Sequence, residues 1–153
     1  MVAIDIAPRD GDGWIECSCG AKHWGKYGAA GLLLLRGSQV LLQHRAPWVH
    51  NGDTWGIPGG ARDSHESFLE AAIREAHEEI GITAHEIDLL SESYEDHGVW
   101  SYHTIVAAAK SSCDPIAANQ ESLEVRWVER SAVKDLALHP AFGKNWIRLQ
   151  EII

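Results

Sequence analysis

Apolar runs and turn-rich stretches alternate along the chain in an order that predicts strands with interspersed helices. Ala29-Ala30-Gly31-Leu32-Leu33-Leu34-Leu35 is an uninterrupted apolar run, and Gln39 to His44 holds a second, Val40-Leu41-Leu42. The short Arg36-Gly37-Ser38 turn between them signals a hairpin. Ala46 to Thr54 contains Pro47, Asn51 and Gly52 and reads as a surface loop. Beyond it the period changes. Leu69, Ala72, Ile73, Ala76 and Ile80 fall on one face when each residue advances about 100°. Ser67 and Glu70 form a capping box that starts this helix near Phe68, and Gly81 supplies its stop. Val99 to Ala109 and Leu123 to Val128 read as strands. Ser131 to Leu136 reads as a short helix, and Pro140 to Ile153 as a terminal one burying Phe142, Trp146 and Leu149. Such an order predicts a sheet between helix layers.

The polar side of the helix near Phe68 changes the picture. Glu75, Glu78 and Glu79 fall within about 100° of one another, apart from the core stripe. Like charges at these spacings disfavour a helix by a few tenths of a kcal/mol each. A divalent cation resolves that repulsion, and carboxylate oxygens suit hard ions such as Mg²⁺ or Mn²⁺. Arg74 lies beside Glu78 and one turn after Glu70, where its planar fork can orient carboxylates. Upstream, Pro58-Gly59-Gly60 follows the short run Trp55-Gly56-Ile57, and glycines there permit close approach of backbone to a ligand.

Gly60 to Ile82 fits G-x5-E-x7-R-E-U-x-E-E-x-G-U, where U is a bulky apolar residue and the small Ala76 occupies the first U slot. A chance match in a chain of this length is on the order of one in a million at average composition. On this segment the chain resembles the Nudix hydrolases. The resemblance implies an α/β/α sandwich on a mixed β-sheet and hydrolysis of a phosphoanhydride. It also implies a metal site formed by Glu75, Glu78, Glu79 and Gly60, with Glu66 in a supporting role. Any of Glu75, Glu78 and Glu79 could serve as base, Glu75 or Glu78 foremost, with Arg74 in the catalytic group.

The flanks extend the resemblance. Arg45, at the end of Val40-Leu41-Leu42-Gln43-His44-Arg45, matches a phosphate-contacting Arg of MutT-type members. Glu121 stands six residues before Trp127, at the offset where such members complete the metal shell; Glu124 is its competitor. Gly59 and Gly60 are expected at the substrate phosphates. Trp48 is the candidate to stack on a nucleobase, and Trp55 is expected in the core. The run Trp55 to Ala61 looks like the nucleoside-triphosphate-directed, MutT-type branch. The expected substrate is a (d)NTP or an oxidised purine (d)NTP, cleaved to the monophosphate and pyrophosphate with Mg²⁺. ADP-ribose or another nucleoside-diphosphate derivative stays open as an alternative, as does a non-catalytic nucleotide-binding module. An isoprenoid diphosphate isomerase is disfavoured, because the Cys and Glu it needs lie in contexts absent here.

Composition sets the remaining bounds. With 153 residues, 45% hydrophobic and 23% charged, the chain reads as one domain, residues 1–153, whose first 27 residues form an N-terminal extension with a hairpin. A net charge of −9 and the absence of a basic stripe count against a nucleic-acid polymer as partner. The same charge would repel a phosphate substrate unless metal ions bridged the two. No apolar run is long enough for a membrane span, and Met1 to Asp10 lacks the pattern of a signal peptide, so a cytoplasmic protein is expected. The resemblance allows a homodimer, although no sequence feature requires one. Cys17-Ser18-Cys19 with His23 falls short of a four-ligand zinc site and is equally consistent with a small hairpin around Gly20. His44, His50, His65 and His77 lie near the expected site, but no role is assigned to them.

Overall fold

The computed structural model describes residues 9–153, so the reading of Met1 to Asp10 as lacking a signal peptide falls, for residues 1–8, outside the described residues. Strands β1 (Trp14–Glu16) and β2 (Lys22–Trp24) form the expected small antiparallel hairpin. The main sheet has seven strands. β3 (Ala29–Arg36) lies at its centre, paired in parallel with β8 (Ser101–Ala109) along its length. On its other edge β3 meets β4 (Gln39–Arg45) at one end and β6 (Gly59–Ala61) at the other. β5 (Trp55–Gly56) and β9 (Ser122–Glu129) extend the sheet beyond β4, and β7 (Ile87–Asp96) closes the far edge beside β8.

Each face of the sheet carries a helix, which explains the unbroken apolar run in β3. A strand covered on both sides has no polar face to alternate with. Ala30, Leu32 and Leu34 pack with Ala71, Ala72, Ala76 and Ile80 of α1 (Phe68–Ile80). Leu33 and Leu35 point the other way, into a cluster with Phe142, Trp146 and Leu149 of α2 (Pro140–Leu149). The architecture is the α/β/α sandwich on a mixed sheet. Trp55 belongs to the second cluster, stacked on His44 at 4.5 Å between ring centroids.

Helix α1 starts where its capping box predicts. Ser67 Oγ accepts from Glu70 N, and the Glu70 carboxylate accepts from Ser67 N, both at 3.0 Å. Gly81 ends the helix in the left-handed region at φ 72°, a conformation that a Cβ disfavours. Ser67→Ala is expected to destabilise the protein by about 1 kcal/mol, read as a shift in the denaturant midpoint at unchanged slope.

Several boundaries differ from the sequence reading. Leu69 is exposed instead of joining the core stripe, while Ala71 is buried, so the helix is rotated slightly from the predicted face. The Val99–Ala109 strand begins at Ser101, because His97 to Trp100 form a turn closed by His97 N donating to Trp100 O. The terminal helix ends at Leu149 and tightens into a 3₁₀ turn at Gln150–Ile152, and Arg130–Asp135 is also 3₁₀. β7 has no counterpart in the sequence reading. It is an edge strand with Ile87 its one buried residue, so it lacks the apolar alternation that marks a strand. No helix among the described residues is long and apolar enough to cross a membrane.

Candidate active site

Small residues at the start of β3 allow the chain to fold tightly beneath α1. Ala29, Ala30 and Gly31 pair with Ala61, Gly60 and Gly59, so the two glycines lie in strand β6. The approach leaves no room for side chains. A Cβ on Gly59 would fall 2.5 Å from Ala30 O, and one on Gly60 would fall 2.6 Å from Glu75 Oε1. Gly60 therefore brings backbone directly against a carboxylate of α1.

The three α1 glutamates do not share one exposed edge, as the helical spacing alone suggests. Glu78 is exposed, Glu75 is mostly covered, and Glu79 is only 4% exposed. Glu79 turns inward because the rotated helix carries it beneath β4 and β6. One of its oxygens accepts from Gly59 N at 2.8 Å, and the other from Gln43 Nε2 at 3.3 Å. Neither donor is a cation. Burial, followed by the charge of Glu75, pushes the Glu79 carboxyl up to about 8. Burial also raises the carboxyl of Glu75, with Arg74 opposing it. Gln43 Oε1 is buried without a hydrogen-bond partner beside this cluster.

Arg74 supplies the local organisation. Its Nε and Nη2 form a two-pronged contact with Glu66 at 2.7 and 2.8 Å, its Nη1 donates to Glu75 Oε1 at 2.8 Å, and Nη2 also donates to Ala61 O at 3.0 Å. Glu70, one turn before it, is occupied in the helix cap. The Arg74 contact holds the Glu66 carboxyl below the usual range. Glu66 also accepts from Asp63 N at 2.9 Å, so it ties the loop to the helix through Arg74.

Sequence reasoning missed three participants. Arg9 reaches Glu78 at 2.6 Å and buried Asp63 at 3.1 Å. A separation of 69 residues between Arg9 and Glu78 leaves no local signal for that pair. Asp63 occupies a variable slot of the Gly60–Ile82 pattern, where only burial distinguishes it. Gln43 had a readable signal, because it is a polar residue within an otherwise apolar strand.

The outer residues divide. Glu121 lies close enough to add its negative charge to the field at Glu79, whereas Glu124 pairs with Arg126 at 2.5 Å. The Arg45 guanidinium is held by His50 O at 2.8 and 3.1 Å. Tyr102 feels the charges of Glu79 and Glu75 and the opposing charge of Arg45, which brings these groups into one electrostatic environment. Trp48 stands 68% exposed on the loop after β4.

The donor set fits a hard divalent cation. Carboxylate oxygens suit such an ion, and Glu79 has no cationic partner among its hydrogen bonds. An isolated buried carboxylate is unfavourable unless a cation or proton accompanies it.

The chain is similar to several known proteins. The NUDIX domain matches residues 26–150. A Mycobacterium tuberculosis protein named "Putative 8-oxo-dGTP diphosphatase 3" is 47% identical over 152 residues, covering 92% of this chain and 70% of that protein. A Bifidobacterium longum "Nucleoside triphosphate pyrophosphatase/Nudix hydrolase fusion protein" is 44% identical, over 95% of this chain and 32% of its own length. The crystal structure of a Nudix hydrolase from M. smegmatis, RenU, superposes with a TM-score of 0.83 at 45% identity, covering 93% of this chain and 94% of that one.

Proposed function

Since the chain belongs to the Nudix family and is a pyrophosphohydrolase, we propose that it hydrolyses a (d)NTP, in particular an oxidised purine (d)NTP, to the monophosphate and pyrophosphate with Mg²⁺. The observation that carries this reading is the buried, cation-free Glu79 carboxylate between Gly59 and Gln43, next to Glu75. The 47% identity to the M. tuberculosis protein supports the choice of an oxidised purine nucleotide.

Glu75, Glu78 and Glu79 would hold Mg²⁺ with the Gly60 backbone, and Glu121 would complete the set. Bound there, Mg²⁺ would supply positive charge at the phosphoryl oxygens and would make the attacking water more acidic. The chain's residues do the rest. Arg74 fixes Glu75 relative to Gly60 and Ala61. Glu75 or Glu78 accepts the proton of the attacking water as its oxygen bonds to phosphorus, and the P–O–P link breaks with pyrophosphate leaving. Arg45 holds the phosphates and Trp48 stacks on the base. Little covalent chemistry is required of the protein, since positioning and charge stabilisation dominate phosphoryl transfer.

Pyrophosphate and phosphate release with Mg²⁺, across canonical and oxidised (d)NTPs, ADP-ribose, NADH and dinucleoside polyphosphates, tests the proposal beside a Glu78→Gln control. Preferential turnover of an oxidised purine (d)NTP, lost in the control, is expected. Turnover of ADP-ribose alone would overturn the substrate assignment, and no turnover with Mg²⁺ or Mn²⁺ would overturn the reaction. Arg74→Lys is expected to lower kcat by about tenfold to a hundredfold with a small change in KM, because a point charge cannot reproduce the two-pronged Glu66 contact. Steady-state kinetics separates the two parameters.

A further inference from the structure

Outside the carboxylate site, the structure completes a ligand set that the sequence leaves one member short. Cys17 and Cys19 sit in the turn between β1 and β2, and His23 follows in β2. The fourth member is His97, brought in by the turn between β7 and β8. One ligand atom from each of Cys17, Cys19, His23 and His97 lies within 4.8 Å of the other three. From this arrangement we propose a tetrahedral Zn²⁺ site that staples the N-terminal hairpin to the β7–β8 turn.

The donor chemistry selects the ion. Two thiolates and two imidazoles in a tetrahedral arrangement suit Zn²⁺, whereas Mg²⁺ and Ca²⁺ take oxygen ligands. Bond lengths of about 2.0–2.3 Å place tetrahedral ligand atoms about 3.3–3.8 Å apart. Cys19 Sγ and His23 Nε2 are already 3.2 Å apart, so binding draws in only the wider pairs. The C-x-C spacing is shorter than usual for zinc, and the turn accommodates it. Gly20 N donates to Cys17 O at 3.1 Å with Gly20 at φ 89°, while Cys17 N donates to Ala21 O at 3.1 Å. Cys19 N points at Cys17 Sγ, 3.4 Å away, a donor suited to a thiolate.

The surroundings also orient the imidazoles. His23 stacks on Trp100 at 4.2 Å with 9° between planes, and Trp100 Nε1 donates to Trp24 O at 3.2 Å. Glu95 Oε1 lies 3.3 Å from His97 Nε2, where a carboxylate orients a ligating imidazole through its second ring nitrogen. The hairpin's strands are only three residues each, and an isolated two-stranded hairpin is marginal in water. A metal staple gives it tertiary support. The same hairpin is bonded to the segment after Arg9 through Lys26 N to Gly11 O and Gly25 N to Gly13 O, so its anchoring also steadies the Arg9 contact to Glu78.

The full chain, purified under reducing conditions from zinc-supplemented medium and desalted, is expected to carry one zinc per chain by mass spectrometry of the metal. Replacement by Co²⁺, with excess Mg²⁺ occupying the carboxylates, is expected to give a thiolate-to-cobalt charge-transfer band and intense tetrahedral d–d bands. Oxygen ligands of the carboxylate site produce neither. The double variant Cys17→Ser/Cys19→Ser should lose both zinc and bands, and His97→Ala should weaken affinity at least about tenfold. Substoichiometric zinc and no charge-transfer band in the wild-type chain would overturn the site. Full zinc retention by the double variant would do the same. The wild-type measurements decide the matter even if a variant fails to fold.

Discussion

Glu79→Gln is expected to lower kcat by about a thousandfold while leaving the protein folded and at least as stable near pH 8. Glu79 is buried among groups that carry no positive charge, and its proposed task is to hold Mg²⁺. A glutamine keeps the shape but removes the negative charge, and loss of that ligand withdraws several kcal/mol of charge stabilisation from the transition state. The hydrogen bonds can be remade. The glutamine carbonyl accepts from Gly59 N. Rotation of the Gln43 amide turns its unpartnered Oε1 toward the new amide group, so both polar ends remain bonded. Stability is retained or raised because a carboxyl pushed up to about 8 is unfavourable when ionised. Kinetics and thermal unfolding on the same preparation check this. A variant that keeps wild-type kcat would remove Glu79 from the metal set. One that loses activity and stability together would show a packing role instead.

Which parts of this arrangement could be read in the sequence follows from how local each signal is. The α1 boundaries were legible because Ser67, Glu70 and Gly81 act within a few residues of the helix ends. The unbroken apolar run at β3 was legible as buried strand, and the flanking helices account for its lack of alternation. β7 was not legible. It is an edge strand whose pairing with β8 supplies the order that apolar patterning supplies elsewhere. At the site, periodicity grouped Glu75, Glu78 and Glu79 but could not rank their burial, which depends on where Gln43 and Gly59 lie beneath the helix. Arg74 was legible as an organiser, although its principal partner is Glu66, eight residues away across a loop, instead of Glu70 on its own helix. Arg9 and His97 escaped for a common reason. Each meets its partners through tertiary contact across a long stretch of chain.

Metal affinity and stability should respond to pH in opposite directions, and Glu79 determines both. Without a divalent ion the folded chain holds a proton on Glu79 up to about pH 8, whereas an unfolded chain releases it near the ordinary 4.5. Between those values the folded form binds more protons, so stability falls as pH rises. The contribution is complete below about 4.5 and lost once pH passes about 8, and it amounts to a few kcal/mol at most. Mg²⁺ requires the ionised carboxylate and must displace that proton. Its apparent affinity should therefore rise about tenfold per pH unit well below pH 8, roughly fiftyfold from pH 6 to pH 8, and then level off. Chelation of the metal should accordingly lower Tm more at pH 8.5 than at pH 6, because only at the higher pH does removing the ion expose an uncompensated buried charge. Calorimetric titration with Mg²⁺ at pH 7, in two buffers of different ionisation enthalpy, counts the released proton directly. Release of about one proton agrees with Glu79 as a ligand, with burial and the charge of Glu75 keeping its carboxyl neutral beforehand against the hydrogen bonds from Gln43 and Gly59. No release, with an affinity flat from pH 6 to 8, would mean that the ion binds at the exposed Glu78 end and leaves Glu79 protonated.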